Sequence, residues 1–125
     1  MIIDTNALSA VAEGHPSVES SLRNATEVAI PVIVLGEYLY GVSQSSRRAE
    51  HENWLKEFIP RYRVLDVDQD TALRYAMLRS ELRKAGTPIP SNDIWIAALS
   101  RQYALPILSR DRHFDVVNSL RRIDW

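Results

Sequence analysis

The chain begins with a short apolar segment, Ile2-Ile3, that is broken immediately by an acid, Asp4. An apolar run of this kind, bounded by a polar residue, is typical of a buried strand that ends at the surface of a sheet. In open α/β sheets, ligands bind in the crevice beyond the carboxyl ends of the strands. The start of the chain therefore predicts an α/β fold with a functional aspartate at the end of its first strand.

Strand-like and helix-like segments alternate along the rest of the chain. Strands are predicted at residues 2–3, 28–30, 64–67 and 106–109, with an edge strand within 121–125. Helices are predicted at 6–13, 17–24, 32–42, 50–58, 68–84 and 94–103. This alternation predicts a three-layer α/β/α sandwich on a short, mainly parallel sheet. At 125 residues the chain is expected to form a single domain, residues 1–125.

The longest predicted helix begins at a capping aspartate, Asp68 or Asp70, and ends before Gly86. Apolar side chains recur along it at helical spacing, which predicts a buried stripe. The predicted stripe consists of Ala72, Leu73, Ala76, Met77 and Leu82.

The chain contains no cysteine, so disulfides, zinc–thiolate sites and thiol nucleophiles are excluded. That composition fits a cytoplasmic protein. The longest apolar run, Val28–Leu35, is too short to span a membrane, and Asp4 interrupts the only apolar segment that resembles the start of a signal peptide. No membrane association is therefore expected.

Three further acids, Glu37, Asp93 and Asp111, each follow or flank an apolar run. If they meet Asp4 in one crevice, four carboxylates would repel one another unless cations held them together. Carboxylate clusters suit hard divalent ions such as Mg²⁺ or Mn²⁺. The histidines lack the paired spacing of zinc ligands. The four acids therefore predict a metal-dependent phosphodiesterase site.

Each acid also has an ordinary structural explanation. Asp4 suits the N-cap of the following helix, and Asp93 suits the first turn of another, where a negative charge complements the helix dipole. Glu37 could be a solvated helical glutamate and Asp111 a turn residue. Asp115 remains an alternative to Asp111 as the fourth acid. Each acid alone is weak evidence for a functional site, whereas the order of all four along the chain favours one.

The ordered set of motifs resembles PIN-domain ribonucleases, in particular the VapC toxins of bacterial toxin–antitoxin pairs. The resemblance rests on four elements and covers essentially the whole chain. They are the apolar-apolar-DTN motif at Ile2–Asn6, Gly36-Glu37, Asn92-Asp93 with Ile96–Ala98, and the segment Ser109–Phe114. Ser109 stands where the family usually has threonine and keeps the hydroxyl.

The resemblance implies a PIN-like fold and a Mg²⁺- or Mn²⁺-dependent endoribonuclease. It implies that the four acids ligate metal directly or through water, and that Thr5, Asn6 and Ser109 orient the carboxylates or contact the scissile phosphate. A metal-activated water would then attack in line and leave a 5′-phosphate and a 3′-hydroxyl. Arg110 and Arg112 flank the predicted acidic pocket, and both are candidates for phosphate contact or for solvated loop charges.

The resemblance also implies protein partners. Relatives form homodimers and are neutralised by a small antitoxin protein that covers the active-site groove. Four residues could form an apolar groove for an amphipathic helix of the antitoxin, although at least half of them are expected to belong to the core. They are Tyr38, Leu39, Tyr40 and Trp54.

Other functional classes fit less well. A haloacid-dehalogenase-type enzyme requires a second aspartate at the position of Asn6, and a response-regulator receiver requires a lysine after a late strand, whereas no lysine follows Lys84. The remaining alternative is a non-catalytic PIN-like module that binds RNA or protein. Such modules usually lose acids, whereas this chain keeps four. Dependence of RNA cleavage on metal would separate the enzyme from the binding module.

Overall fold

A computed structural model describes residues 1–125 as five short strands and six α-helices. The strands are β1 (Ile2–Ile3), β2 (Ala29–Pro31), β3 (Arg63–Leu65), β4 (Ile107–Leu108) and β5 (Arg122–Ile123). The helices are α1 (Thr5–Ala12), α2 (Pro16–Arg23), α3 (Val32–Ser43), α4 (Arg48–Phe58), α5 (Gln69–Lys84) and α6 (Ser91–Tyr103). Two short 3-10 turns, Ile59–Arg61 and Arg112–Val116, complete the regular structure.

The five strands form one sheet in the order β3-β2-β1-β4-β5, with every neighbouring pair parallel. Helices α1 to α4 pack among themselves, and α5 packs against α6. Because crossover connections between parallel strands are right-handed, the first four helices lie on one face and the last two on the other. The predicted α/β/α sandwich is confirmed.

The centre of the sheet is its most buried part. Every residue of β1 and β4 is inaccessible to solvent, as expected for strands covered on both faces. The middle of α6, from Ile96 to Leu99, is also fully buried, in keeping with its uninterrupted apolar sequence. Because these strands are buried on both faces, the polar residues that follow them are held in fixed positions. No helix in the structure is both long and apolar enough to cross a membrane.

The helix ends follow the local signals. Gly14 after α1 and Gly86 after α5 have φ of +72° and +70°, the left-handed region that glycine adopts without a Cβ penalty. Asp68, rather than Asp70, caps α5: its side chain accepts from Thr71 N, and the Thr71 hydroxyl accepts from Asp68 N. The strands differ from prediction by one or two residues, and β3 ends at Leu65 rather than at Val67.

The predicted buried stripe of α5 is wrong except at Leu82. The helix buries Thr71, Leu78 and Leu82 against its surroundings, whereas the other four predicted members are exposed. Leu73 and Met77 are 68% and 60% exposed. Two apolar stripes of helical period run along α5, and periodicity alone does not decide which of them faces the sheet. The four exposed members are Ala72, Leu73, Ala76 and Met77.

Candidate active site

The candidate site lies at the carboxyl ends of β1 and β4, in the middle of the sheet. From β1 the chain runs outward to β2 and β3 on one side, and later to β4 and β5 on the other. This reversal of strand order is the position where ligands bind in open α/β sheets. Asp4 follows β1 directly and Ser109 follows β4, and their preceding residues, Ile3 and Leu108, are paired in the sheet.

Asp4 is held rigidly by three hydrogen bonds. It is only 5% exposed, and its Oδ1 accepts from the backbone N of Thr5 at 2.8 Å, which makes it the N-cap of α1 as well as a site residue. Its Oδ2 accepts from Ser109 Oγ at 2.6 Å and from Asn6 Nδ2 at 3.0 Å. Burial, the largest influence, raises the pKa of Asp4, and the charge of Asp111 raises it further.

Ser109 and Asn6 join the ends of the two strands. The Ser109 hydroxyl is fully buried and accepts from Asn6 Nδ2 at 3.0 Å and from Asp111 N at 2.9 Å. The amide oxygen of Asn6 accepts from Arg110 N at 3.1 Å. Together these bonds fix the loop that follows β4 relative to Asp4, so that the position of Asp111 depends on Ser109.

Asp93 and Asp111 come together around a histidine. The Nδ1 atom of His113 lies 2.9 Å from Asp93 Oδ2 and 3.1 Å from Asp111 Oδ1. One candidate ligand atom from each of these three residues lies within 4.8 Å of the others, a spacing that a metal ion could bridge. Asp93 comes from the first turn of α6 and Asp111 caps the 3-10 turn that carries His113.

His113 is a site residue that the sequence did not reveal. The sequence alone predicts no ligand role for it, because the histidines lack the paired spacing of zinc ligands. The only available signal was its position two residues after Asp111. Hydrogen bonding to Asp93, followed by the charges of both aspartates, raises the pKa of His113.

Glu37 completes the acidic group from α3. Its Oε1 and the hydroxyl of Thr5 are both buried, and neither forms a hydrogen bond of normal geometry. Both residues line a cavity of about 210 Å³ beside the strand ends. Burial raises the pKa of Glu37, and the charges of Asp4 and Asp93 raise it further, which shows that the three carboxylates influence one another. The Thr5 side chain lies close enough to Glu37 to oppose this rise in its pKa. A buried carboxylate oxygen without a partner is costly unless a cation or donor reaches it.

Repulsion within the group is a general property of the site. Burial is also the largest influence on the pKa of Asp93 and raises it; the hydrogen bond with His113 opposes the rise, and the charges of Asp4 and Asp111 add to it. A hard divalent cation would bind the carboxylate oxygens, relieve the repulsion among them and supply a partner for the unpaired oxygen. The residues present therefore fit such an ion.

The arginines near the site have different surroundings. The guanidinium of Arg110 stacks on Trp125, 3.7 Å from the ring centre, and donates to the carbonyl oxygen of Trp125 at 2.8 and 3.1 Å. Arg112 is exposed and forms no ion pair. Arg122 donates to Ser109 O and forms a two-point contact with Asp115.

These contacts separate the two candidates for the fourth acid. Asp111 faces Asp93 and His113, whereas Asp115 is engaged by Arg122, which lowers the pKa of Asp115. We expect Asp111→Asn to lower Mn²⁺ affinity at least about 10-fold, the lower limit even for outer-shell partners of a metal site. Asp115→Asn should instead lower the melting temperature and leave Mn²⁺ affinity unchanged. Calorimetric titration with Mn²⁺ and thermal melting would measure both, and the opposite pattern would identify Asp115 as the ligand.

Ser109→Ala is expected to reduce both metal affinity and RNA cleavage by about 10–100-fold, because it removes the hydroxyl that positions two carboxylates. Ser109→Thr keeps the hydroxyl and should retain most of the activity. Cleavage rates at saturating metal, compared between the two variants, test this prediction. Equal losses in both would mean that packing, rather than the hydroxyl, is what matters.

Comparison with known proteins gives consistent matches over almost the whole chain. A model of the PIN-domain family matches residues 1–120. Ribonuclease VapC2 of Haemophilus influenzae is 30% identical over 127 residues, covering 99% of this chain and 96% of that protein. The tRNA(fMet)-specific endonuclease VapC of Salmonella typhimurium is 28% identical, with the same coverage. Among solved structures, VapBC2 of Rickettsia felis bound to a promoter DNA fragment has a TM-score of 0.89 at 28% identity, covering 99% of this chain and 97% of that one.

Proposed function

The chain belongs to the PIN-domain family, and on that premise we propose that it is a metal-dependent endoribonuclease that acts as the toxin of a toxin–antitoxin pair. The observation that carries the proposal is the convergence of acids from four separate chain segments at the centre of the sheet. Asp93 and Asp111 share a contact with His113, and Asp4 is joined to the same loop through Ser109. Relatives named as ribonucleases support the same activity.

The proposed metal ligands are the four carboxylates, and Mg²⁺ or Mn²⁺ is the ion that their oxygen atoms suit. When bound, such an ion lowers the pKa of a water and neutralises charge that develops on the phosphoryl oxygens. The unpartnered Oε1 of Glu37 supports this assignment, because a cation would supply the partner it lacks. The four residues are Asp4, Glu37, Asp93 and Asp111.

The remaining side chains position the acids and the substrate. Ser109 and Asn6 hold Asp4 Oδ2 in a single orientation, which removes the need for reorganisation when a phosphate arrives. The Thr5 hydroxyl is buried beside Glu37 and is proposed to orient that carboxylate. Arg112 is the free cation on the 3-10 turn and is proposed as a phosphate contact. Hydrolysis of this kind leaves a 5′-phosphate and a 3′-hydroxyl.

A protein partner is part of the proposal. The relatives from Rickettsia felis and Salmonella typhimurium were solved as VapBC complexes bound to DNA, which supports a cognate antitoxin for this chain. Leu39 and Tyr40 on α3 are 42% and 72% exposed and are available to such a partner. Tyr38 is buried in the core, and the half-buried Trp54 packs against it.

The homodimer implied by the family resemblance also remains a proposal. The exposed Leu73 and Met77 on α5 offer an apolar surface that a second copy could cover.

The experiment that tests the activity incubates the purified chain with total cellular RNA and Mg²⁺ or Mn²⁺. Parallel reactions contain EDTA or the Asp4→Ala/Asp93→Ala double variant, and the new RNA ends are sequenced. The proposal predicts discrete cleavage sites with 5′-phosphates that require both metal and the acids, and the sites would identify the RNA class. Cleavage that persists in EDTA would exclude the metal centre. Binding of RNA without any cleavage would favour a non-catalytic module.

A further inference from the structure

We propose that Arg79 and Arg83 form a site for a backbone phosphate of the RNA strand, beside the metal centre at the start of α6. This inference rests on the proposed ribonuclease function and adds the surface by which the substrate reaches the acids. An acidic centre repels RNA, and the chain as a whole has a net charge of −1, so the attraction must come from a local group of cations.

Most of the basic side chains are already occupied. Of the fifteen lysines and arginines, eight arginines form ion pairs with carboxylates in the structure, and the other seven do not. Three of those seven, Arg79, Arg83 and Lys84, lie together in the last two turns of α5. The others are spread along the chain. They are Lys56, Arg61, Arg112 and Arg121.

Arg79 and Arg83 face a common cavity. They are four residues apart on α5, so they lie on the same side of the helix. Together with Ser91 and Ile94 of α6 they line a cavity of about 320 Å³, whose other walls are mostly apolar. The cavity therefore combines two guanidinium groups with no carboxylate, a composition that favours an anion.

One of the two guanidinium groups is oriented in advance. Arg79 Nη1 donates to the hydroxyl of Tyr75 at 2.8 Å, and the Tyr75 ring stacks on Trp95 with 4.0 Å between ring centres. The contact fixes the side chain without neutralising its charge. Arginine in a fixed orientation suits the paired oxygens of a phosphate, with two parallel hydrogen bonds.

The cavity and the metal centre share one turn of helix. Ser91 and Ile94 line the cavity, and Asp93, in the same first turn of α6, faces the acids and His113. At 1.5 Å rise and 3.6 residues per turn, Ser91 and Asp93 differ by only about 3 Å along the helix axis but point to different sides of the helix. An RNA strand that passes around the N-terminal end of α6 would place one phosphate at the proposed metal centre and another at the two arginines.

The test compares an Arg79→Gln/Arg83→Gln variant with an Arg61→Gln/Arg121→Gln variant, which loses the same charge from unpaired arginines elsewhere. Binding of fluorescein-labelled single-stranded RNA is measured by anisotropy in EDTA over a range of salt concentrations. Loss of the single phosphate contact that the two arginines share should reduce the slope of log K against log salt by about 0.7, the value per phosphate for single strands. The control variant should keep the wild-type slope. Thermal melting confirms that both variants fold.

Kinetics supply a second readout. The Arg79→Gln/Arg83→Gln variant should raise KM for RNA with kcat unchanged, because the contacts hold substrate and transition state equally. Arg79→Lys/Arg83→Lys should restore part of the binding, since it keeps the charge but loses the fork. Equal slopes in the two glutamine variants would overturn the inference. The same result is expected if the arginines bind an acidic partner protein and not RNA. The binding slope is independent of cleavage, so failure of the ribonuclease proposal would appear separately.

Discussion

Replacing Asp93 with asparagine is expected to lower the rate of metal-dependent RNA cleavage at least about 100-fold, comparable with the loss of one preorganised charge-stabilising group in other enzymes. The substitution keeps the size of the side chain and removes one of the oxygens that would bind the cation. Because Asp93 lies at the start of a rigid, largely buried helix, no other acid can move into its place. The measurement is single-turnover cleavage of RNA at saturating Mg²⁺.

The matched control is Asp70→Asn. Asp70 also lies in the first turn of a helix, α5, so its loss removes a comparable interaction with the helix dipole. It pairs with Arg74 at the surface and is remote from the acidic group in the hydrogen-bond network. Cleavage by Asp70→Asn should equal that of the wild type. Equal losses in the two variants would show that Asp93 supports the helix and not the reaction.

Replacing Glu37 with glutamine is expected to have opposite effects on activity and stability. Cleavage should fall about 100-fold because a proposed ligand is lost. The metal-free protein should melt at a higher temperature, because glutamine removes a charge that is buried and repelled by Asp4 and Asp93. Glu13→Gln, which lines the same cavity but is exposed, is the control and should change neither property. A melting temperature below that of the wild type would contradict the account.

The stability effect should depend on pH in a defined direction. The pKa of Glu37 is raised in the folded protein above its ordinary value of 4.5, so the native state binds its proton more tightly than the unfolded chain does. Stability from this group is therefore present at low pH and is lost as pH rises through the unfolded pKa toward the folded one. The gain in melting temperature in EDTA should be small near pH 4 and should grow toward pH 7. Added Mg²⁺ should reduce or reverse the difference, because it binds the wild type more tightly and therefore stabilises it more than the variant.

The sequence allowed the fold class and the candidate acids to be predicted for identifiable reasons. The buried strand Ile2-Ile3 and the apolar helix after Asp93 both carry an acid at a boundary between apolar and polar sequence, and that boundary marks a strand or helix end. The strand order, by contrast, has no local signature. The contact between Asp4 and Ser109 spans 105 residues of sequence and follows from the pairing of β1 with β4.

Two features could not be predicted from the sequence because they depend on which elements pack against each other. Along α5, the exposed pair Leu73 and Met77 has the same helical spacing as the buried residues, and only the position of α6 distinguishes the two faces. His113 lies in an exposed 3-10 turn where no periodicity exists. Its role in the site follows from the approach of the α6 N-terminus to that turn, which brings Asp93 within 2.9 Å of it.

The most direct test of the metal centre is anomalous X-ray scattering from crystals of the protein grown with Mn²⁺. A Mn²⁺ peak is expected among the carboxylates of Asp4, Glu37, Asp93 and Asp111, with ligand oxygens at roughly 2.0–2.2 Å, near the range for small hard cations. The peak should be absent from crystals of the Asp93→Asn variant grown in the same way. A Mn²⁺ peak that lies elsewhere, or that keeps its full height in the variant, would contradict the assignment of these acids as the metal site.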